Sequence, residues 1–290
     1  MKSRVQRLQQ SIMNQLFSFY CRFHHIQPLV DLDSNLKIHS FFPSRIPSHL
    51  DERSSPSRIL SNLFWRDLPW NQITEELGNL TILDTGCGSG SYGDYLNECS
   101  AGKVKQYVGL DVYEHASWKS PHTLNKQFHL FDGKSITPYI PNETNFFMSQ
   151  SAVEHFANDR HYFEEIAQFI QTHSQPIIQV HLFPSVACMK LYGRHGYRQY
   201  TPRTVSHITR LFPTSECFLF GLGGPASNRV HNEYITQPLA TDGVDYRKTK
   251  PEEYQQKVLQ AIQTDKNIAP TDPSFWALVI CSNWKKPFVV

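Results

Sequence analysis

The stretch that most constrains this chain runs from Leu80 to Gly93 and reads Leu-Thr-Ile-Leu-Asp-Thr-Gly-Cys-Gly-Ser-Gly-Ser-Tyr-Gly. Leu80, Ile82 and Leu83 make a short apolar run that ends at Asp84, and Gly86, Gly88 and Gly90 follow at every second position. An apolar run cut off by glycines reads as a buried strand. Ser91, Tyr92, Asp94, Tyr95 and Leu96 then open a helix. A strand, a glycine turn and a helix N-terminus form a nucleotide-binding corner, because glycine puts no Cβ between the backbone and a ligand. Two patterns fit the glycines. One is G-x-G-x-x-G at Gly88, Gly90 and Gly93, the dinucleotide fingerprint. The other is D-x-G-x-G-x-G from Asp84 to Gly90.

Downstream, strand and helix signals alternate. Strands are expected at 80–84, 107–111, 128–132, 145–150, 176–182, 217–220 and 275–280. Helices are expected at 91–99, 159–172, from Thr201 to about Leu211, and near Glu252–Gln263, with the rest of 222–272 polar and irregular. Alternation of this kind implies βαβ units and a mainly parallel sheet. Ligands of such sheets bind beyond the carboxyl ends of the strands. There the chain places Asp84 and the glycines, then Asp111, then Asp132-Gly133, then Ser149-Gln-Ser-Ala-Val-Glu154-His155-Phe156. Asp111 is spaced to accept hydrogen bonds from ribose hydroxyls, and Asp132 to meet an exocyclic adenine amine.

This succession resembles the class I S-adenosylmethionine (SAM)-dependent methyltransferases, most closely the small-molecule group with a Val/Leu-Glu-His element after the fourth strand. The likeness is good over 78–182 and holds in outline elsewhere. It implies an α/β, Rossmann-like, seven-stranded and mostly parallel sheet sandwiched by helices, with the last strand antiparallel. It also implies SAM as cofactor. The methionine part would lie on Asp84, Gly86, Cys87, Gly88 and Gly90, the ribose on Asp111, and the adenine on Asp132 and Gly133, with Ser149 near the sulfonium. One position departs from the pattern: Asn145 stands where the fourth strand usually begins with an acid. In-line methyl transfer to a hydroxyl needs a base, and imidazole is best poised for that near neutral pH. His155 and His195 are the candidates, with His181 a further one of more structural character. The loop Lys190–Arg203 lies where the family places substrate-contacting insertions. It offers Arg194 and Arg198 for a phosphate or carboxylate and Tyr197 for stacking on a sugar or ring, while Gly193 and Gly196 give it lid-like freedom.

Ahead of the corner, residues 1–30 carry Val5, Leu8, Ile12, Leu16 and Tyr20 at helical spacing, a helix packed on the domain rather than one lying on a membrane. Residues 31–58 read as loop, and 59–79 as helical, with Trp65 and Trp70 as core or lid residues. The expected division is an N-terminal helical extension and linker over 1–75 and a methyltransferase domain over 76–290. With 40% hydrophobic and 19% charged residues, the chain affords a large core. A net charge of +2 gives no electrostatic case for nucleic acid. Six scattered cysteines without a C-x-x-C pair argue against zinc and fit reduced, cytoplasmic thiols, and no metal is expected. No apolar run approaches membrane length, and none follows the basic N-terminus as in a signal peptide.

The expected function is O-methylation of a polar small molecule, a sugar or glycan hydroxyl ahead of a phenol. The alternatives are a nicotinamide-dependent oxidoreductase using Gly88, Gly90 and Gly93, and a non-catalytic module of the same fold.

Overall fold

The computed structural model describes residues 32–266 and 272–289, apart from positions 48 and 194, together with positions 9, 12, 13, 15–17, 19 and 20. Its strands are β1 (Leu36–Phe41), β2 (Leu80–Thr85), β3 (Val104–Asp111), β4 (Lys126–Leu130), β5 (Phe146–Gln150), β6 (Ile177–Pro184), β7 (Glu216–Leu222) and β8 (Phe275–Ser282). They join one eight-stranded sheet in the order β1-β7-β8-β6-β5-β2-β3-β4. Every pairing is parallel except those of β8, which runs antiparallel to β6 and β7. From β2 the chain works outward through β3 to β4, then returns to the other side of β2 as β5. Ile82–Asp84 thus pair with Phe146–Met148. That reversal of strand order opens a crevice at the carboxyl ends of β2 and β5, where open α/β sheets take their ligands.

The central strands are buried on both faces, which is why they read as continuous apolar runs rather than as alternation. One face carries α1 (Pro56–Asp67), α2 (Trp70–Leu77), α3 (Ser91–Cys99), α6 (Pro225–His231) and α7 (Pro251–Asp265). The other carries α4 (Asp159–Thr172) and α5 (Pro202–Thr209). Helix α1 is cut by its own sequence. Ser55 caps it by accepting from the Arg58 N–H, Pro56 fills its first turn, and Pro69 separates it from α2. Trp65 and Trp70 are both core residues, and the Trp65 indole donates to Gln150 Oε1 at 2.8 Å, tying α1 to the end of β5.

Two expectations needed correction. The stretch 31–58 is not all loop: Leu36–Phe41 forms β1, an edge strand in parallel register with β7 from Leu36–Cys217 to Phe41–Leu222. It raises the expected seven strands to eight. The stretch 222–272 is largely helical rather than irregular, holding α6, α7 and the short helical turns between them. Buried Asp265 helps fix it, accepting from the Ala226 and Ser227 N–H groups at the start of α6. The described positions between 9 and 20 are helical, and Phe17 packs on Val186 and Met189. The rest of the helix expected over 1–30 lies outside the described residues.

Candidate active site

The glycine corner forms as its sequence dictates. Gly86 has φ +80°, and a Cβ there would sit 2.3 Å from the Ala152 Cβ, so the loop can press on the turn after β5 only with glycine at this position. Asp84 is fully buried behind it. The Tyr107 hydroxyl donates to Asp84 Oδ2 at 2.5 Å, and Oδ1 has no hydrogen-bond partner among the described residues. Burial pushes the Asp84 carboxyl up to about 7; the Tyr107 bond opposes this and the Asp111 charge adds to it. Asp111, at the end of β3, accepts from the Gly88 N–H at 2.8 Å through Oδ2 and from the Tyr113 N–H at 3.2 Å through Oδ1. Lone pairs remain on both oxygens for two further donors. Beyond β4, Asp132 accepts from the Lys134 N–H and stays exposed, with its carboxyl held below the usual value by that bond. Gly133 faces Val112, whose side chain is 46% exposed and offers an apolar surface beside Asp132.

Past β5, the 3-10 turn Val153–His155 points Glu154 inward and His155 outward. Glu154 is 1% exposed, and neither carboxylate oxygen has a partner among the described residues. Burial lifts its carboxyl to about 8, opposed by its own backbone N–H dipole nearby and by the Arg58 charge. His155 Nε2 stands 4.0 Å from Glu154 Oε1, and its ring meets that of His195 edge-on at 4.6 Å between centroids. Burial, and then His195, hold the His155 imidazole below its ordinary pKa. A cavity of about 190 Å³ opens beside these groups, bounded by Ser57, Arg58, Ser151, Glu154, Tyr192 and His195.

The structure thus brings together Asp84, Gly86, Gly88, Gly90, Asp111, Asp132, Gly133, His155 and His195, and turns four other residues away. Cys87 keeps its backbone in the loop but sends its thiol into the core toward Gly109, where burial pushes the thiol pKa far up. Ser149 points to the opposite layer because strand side chains alternate, and its hydroxyl bonds His181 Nδ1 at 2.8 Å. His181 is buried between Tyr162 and Phe163, which holds its imidazole down to about 3. Arg198 is no anion hook. It is 7% exposed, pairs with Asp159 at 2.7 Å and donates to the Phe156 and Ala157 carbonyls, pinning the turn after β5. Gly196 is not a hinge but a close contact, since a Cβ there would lie 2.4 Å from the Glu154 carbonyl oxygen. Tyr197 is 55% exposed, its N–H donating to that same oxygen, and Arg194 lies outside the described residues.

Sequence reasoning missed the α1 contribution. Arg58 donates to the Tyr92 hydroxyl at 3.0 Å and borders both the cavity and the start of α3. Ser57 bonds the Tyr192 hydroxyl at 3.1 Å. The signal available was the Ser55-Pro56 start of α1, which sets one turn of serines and Arg58 at a helix N-terminus.

Residues 83–175 match the family model described as a methyltransferase domain. Over that stretch the chain is similar to methyltransferase domains. The matched stretch holds the glycine loop, Asp111, Asp132-Gly133 and Glu154-His155. Solved structures similar to this chain include the plantazolicin methyltransferase BamL, in complex with a triazolic desmethylPZN analogue and SAH. It is 14% identical, the match covers 80% of this chain and 88% of that one, and the TM-score is 0.50. A SAM-dependent methyltransferase from Mesorhizobium loti is 13% identical over 78% and 97% of the two chains, with a TM-score of 0.46. One from Archaeoglobus fulgidus is 17% identical over 79% and 96%, also with a TM-score of 0.46. The likeness to BamL establishes a shared fold. No curated protein matches this chain in sequence.

The residues of the corner fit SAM, the cofactor that the sequence resemblance implies. The unpartnered, buried Asp84 Oδ1 suits an ammonium group, and no atom lies within 4 Å of where a Gly88 Cβ would stand, leaving room over the loop. No helix among the described residues is long and apolar enough to cross a membrane.

Proposed function

We propose that the enzyme O-methylates a polar small molecule, a sugar or glycan hydroxyl ahead of a phenol, seated in the cavity between α1 and the Tyr192–His195 loop. When bound, SAM supplies an electrophilic methyl group on a sulfonium. Asp84 and the glycine loop hold its methionine part, with Arg58 beside them for the carboxylate. Asp111 takes the ribose hydroxyls, and Asp132 with Gly133 and Val112 takes the adenine. The chain's work is to orient donor and acceptor at attack distance and to draw the acceptor proton away.

The observation that carries the reading is the polar cluster of Glu154 and His155, on the turn that follows the Gly86–Ala152 contact, with His195 from the neighbouring loop; Glu154 and His195 line a cavity rich in hydroxyls. A hydroxyl-rich acceptor finds donors and acceptors there in Ser57, Ser61, Ser151 and Tyr192. An anionic acceptor loses one of its supports, since Arg198 is spent on Asp159.

The test is transfer from methyl-deuterated SAM to a panel of sugars, glycosides, catechols and amines, followed by mass spectrometry of the products. Label on oxygen, lost in His155→Ala and His195→Ala while SAH still binds, supports the reading. Label on nitrogen, or full activity in both variants, overturns it.

A further inference from the structure

We propose that Glu154, His155 and His195 bind a first-row divalent metal ion that grips the acceptor through adjacent hydroxyl oxygens. This rests on the methyltransferase reading above and names how the cluster acts. One ligand atom from each of the three side chains lies within 4.8 Å of the other two. Glu154 is the deciding member: a carboxylate at 1% exposure with both oxygens unpartnered among the described residues. Buried polar groups are almost always paired, so a bare carboxylate in a cavity wall marks a place for a cation. Arg58 contributes charge from across the cavity, yet its guanidinium donates to the Tyr92 hydroxyl rather than to Glu154. His155 and His195 stand over the same spot from the exposed side, edge to face.

Donors of a common ion at about 2.0–2.2 Å stand roughly 3–4 Å apart. His155 Nε2 and Glu154 Oε1 are already 4.0 Å apart, and His195 rides on a loop between two glycines of positive φ, so small side-chain rotations close the set. One oxygen and two imidazole nitrogens suit manganese, iron, cobalt or zinc better than the oxygen-seeking calcium or magnesium. Three protein ligands leave open positions, and here these face the cavity beside Ser57, Ser151 and Tyr192. Two neighbouring hydroxyls of a sugar or a catechol fill adjacent positions, so the acceptor class is a vicinal diol.

The ion lowers the hydroxyl pKa as it does that of bound water. The hydroxyl proton leaves to solvent, and an oxygen lone pair forms the bond to the methyl carbon. The sulfur–carbon pair stays on sulfur, so the sulfonium charge is lost and one proton is released. In this arrangement the two imidazoles are ligands. Reading the residues in order picks out Glu154, His155 and His195 singly but not as a metal site, because they come from two separate loops without a metal-binding spacing.

The experiment is a Mn²⁺ titration of the full chain, stripped with chelator, followed by electron paramagnetic resonance, with SAH calorimetry on the same samples. One saturable Mn²⁺ per chain is expected, weakened at least tenfold in Glu154→Gln, His155→Ala and His195→Ala. His161→Ala, which alters an exposed His–Glu cluster on α4, should leave it unchanged. His195 lies on an exposed loop, so its variant keeps the test valid if Glu154→Gln fails to fold. SAH binding without saturable Mn²⁺ binding overturns the metal site alone. So does Mn²⁺ binding that follows His161 instead. Failure of the unmutated chain to bind SAH strikes the methyltransferase reading, and this proposal with it.

Discussion

At Asp84 one carboxylate answers to two neighbours. Tyr107 satisfies one oxygen, and the other is left bare beside the glycine loop. With a pKa near 7, its proposed hold on the SAM ammonium group would make cofactor affinity a function of pH. Below that value the group is a neutral acid and must lose a proton before it can pair with an ammonium, so affinity falls by up to about tenfold per pH unit on the acid side. Calorimetry with SAH between pH 8 and 6 should show this decline, and Asp84→Asn should bind weakly with a flat profile. A steep profile in the variant would assign the dependence elsewhere. Arg198 makes the opposite kind of prediction. Removing it strands Asp159, so Arg198→Ala should cost about 3 kcal/mol of stability in urea unfolding. An unaltered unfolding midpoint would return Arg198 to the list of ligand contacts. Asp84, Asp111 and Asp132 were legible because a strand end fixes where an acid points. Arg198 and Ser149 were not, because a side chain's direction in a loop, or on one of two faces of a strand, follows from packing partners distant in sequence.

Elements were legible in proportion to how much of their stability is local. The apolar runs of β2, β5, β6 and β8 and the capped helices α1 and α5 declare themselves. Strand β1 does not: its Leu-Lys-Ile-His alternation is that of a half-buried edge, set among serines and prolines, and only β7 gives it a partner. The loop 193–200 reads as a lid from its glycines, yet its described part is tied down at Gly196, Tyr197 and Arg198 onto the Glu154 turn. Gly196→Ala therefore introduces a Cβ against the Glu154 carbonyl at a backbone angle of +67°, which the loop can relieve only by lifting. Because reaction rates are sensitive to ångström-scale misplacement, kcat/KM for the acceptor should fall about tenfold or more while SAH affinity stays within about twofold. Equal loss of both would mean that the substitution disturbs the whole corner, and no loss would mean that the loop is not part of the acceptor site.

At the scale of the whole molecule, the buried ionisable groups pull stability in opposite directions as pH changes. His181 and His231 are held neutral by burial, at about 3 and about 4, whereas in the unfolded chain they take up a proton near 6.5. Between those values the unfolded chain binds more protons, so acid destabilises the fold, by roughly 2 kcal/mol per histidine at pH 5. Asp84 and Glu154 act the other way. Their folded pKa values near 7 and 8 lie above the unfolded ones, so the native chain is the one that gains protons as pH falls through that range. The net slope is a difference of opposed contributions and identifies neither, so the informative comparison is between variants. His181→Gln keeps a polar partner for Ser149 without an imidazole to protonate. Its urea midpoint should fall less between pH 7 and pH 5 than that of the unmutated chain, by close to the share of one histidine. Parallel falls in the two proteins would mean that His181 stays uncharged in the unfolded chain as well, or is reached by water in the folded one, and the burial that places it between Tyr162 and Phe163 would have to be redrawn.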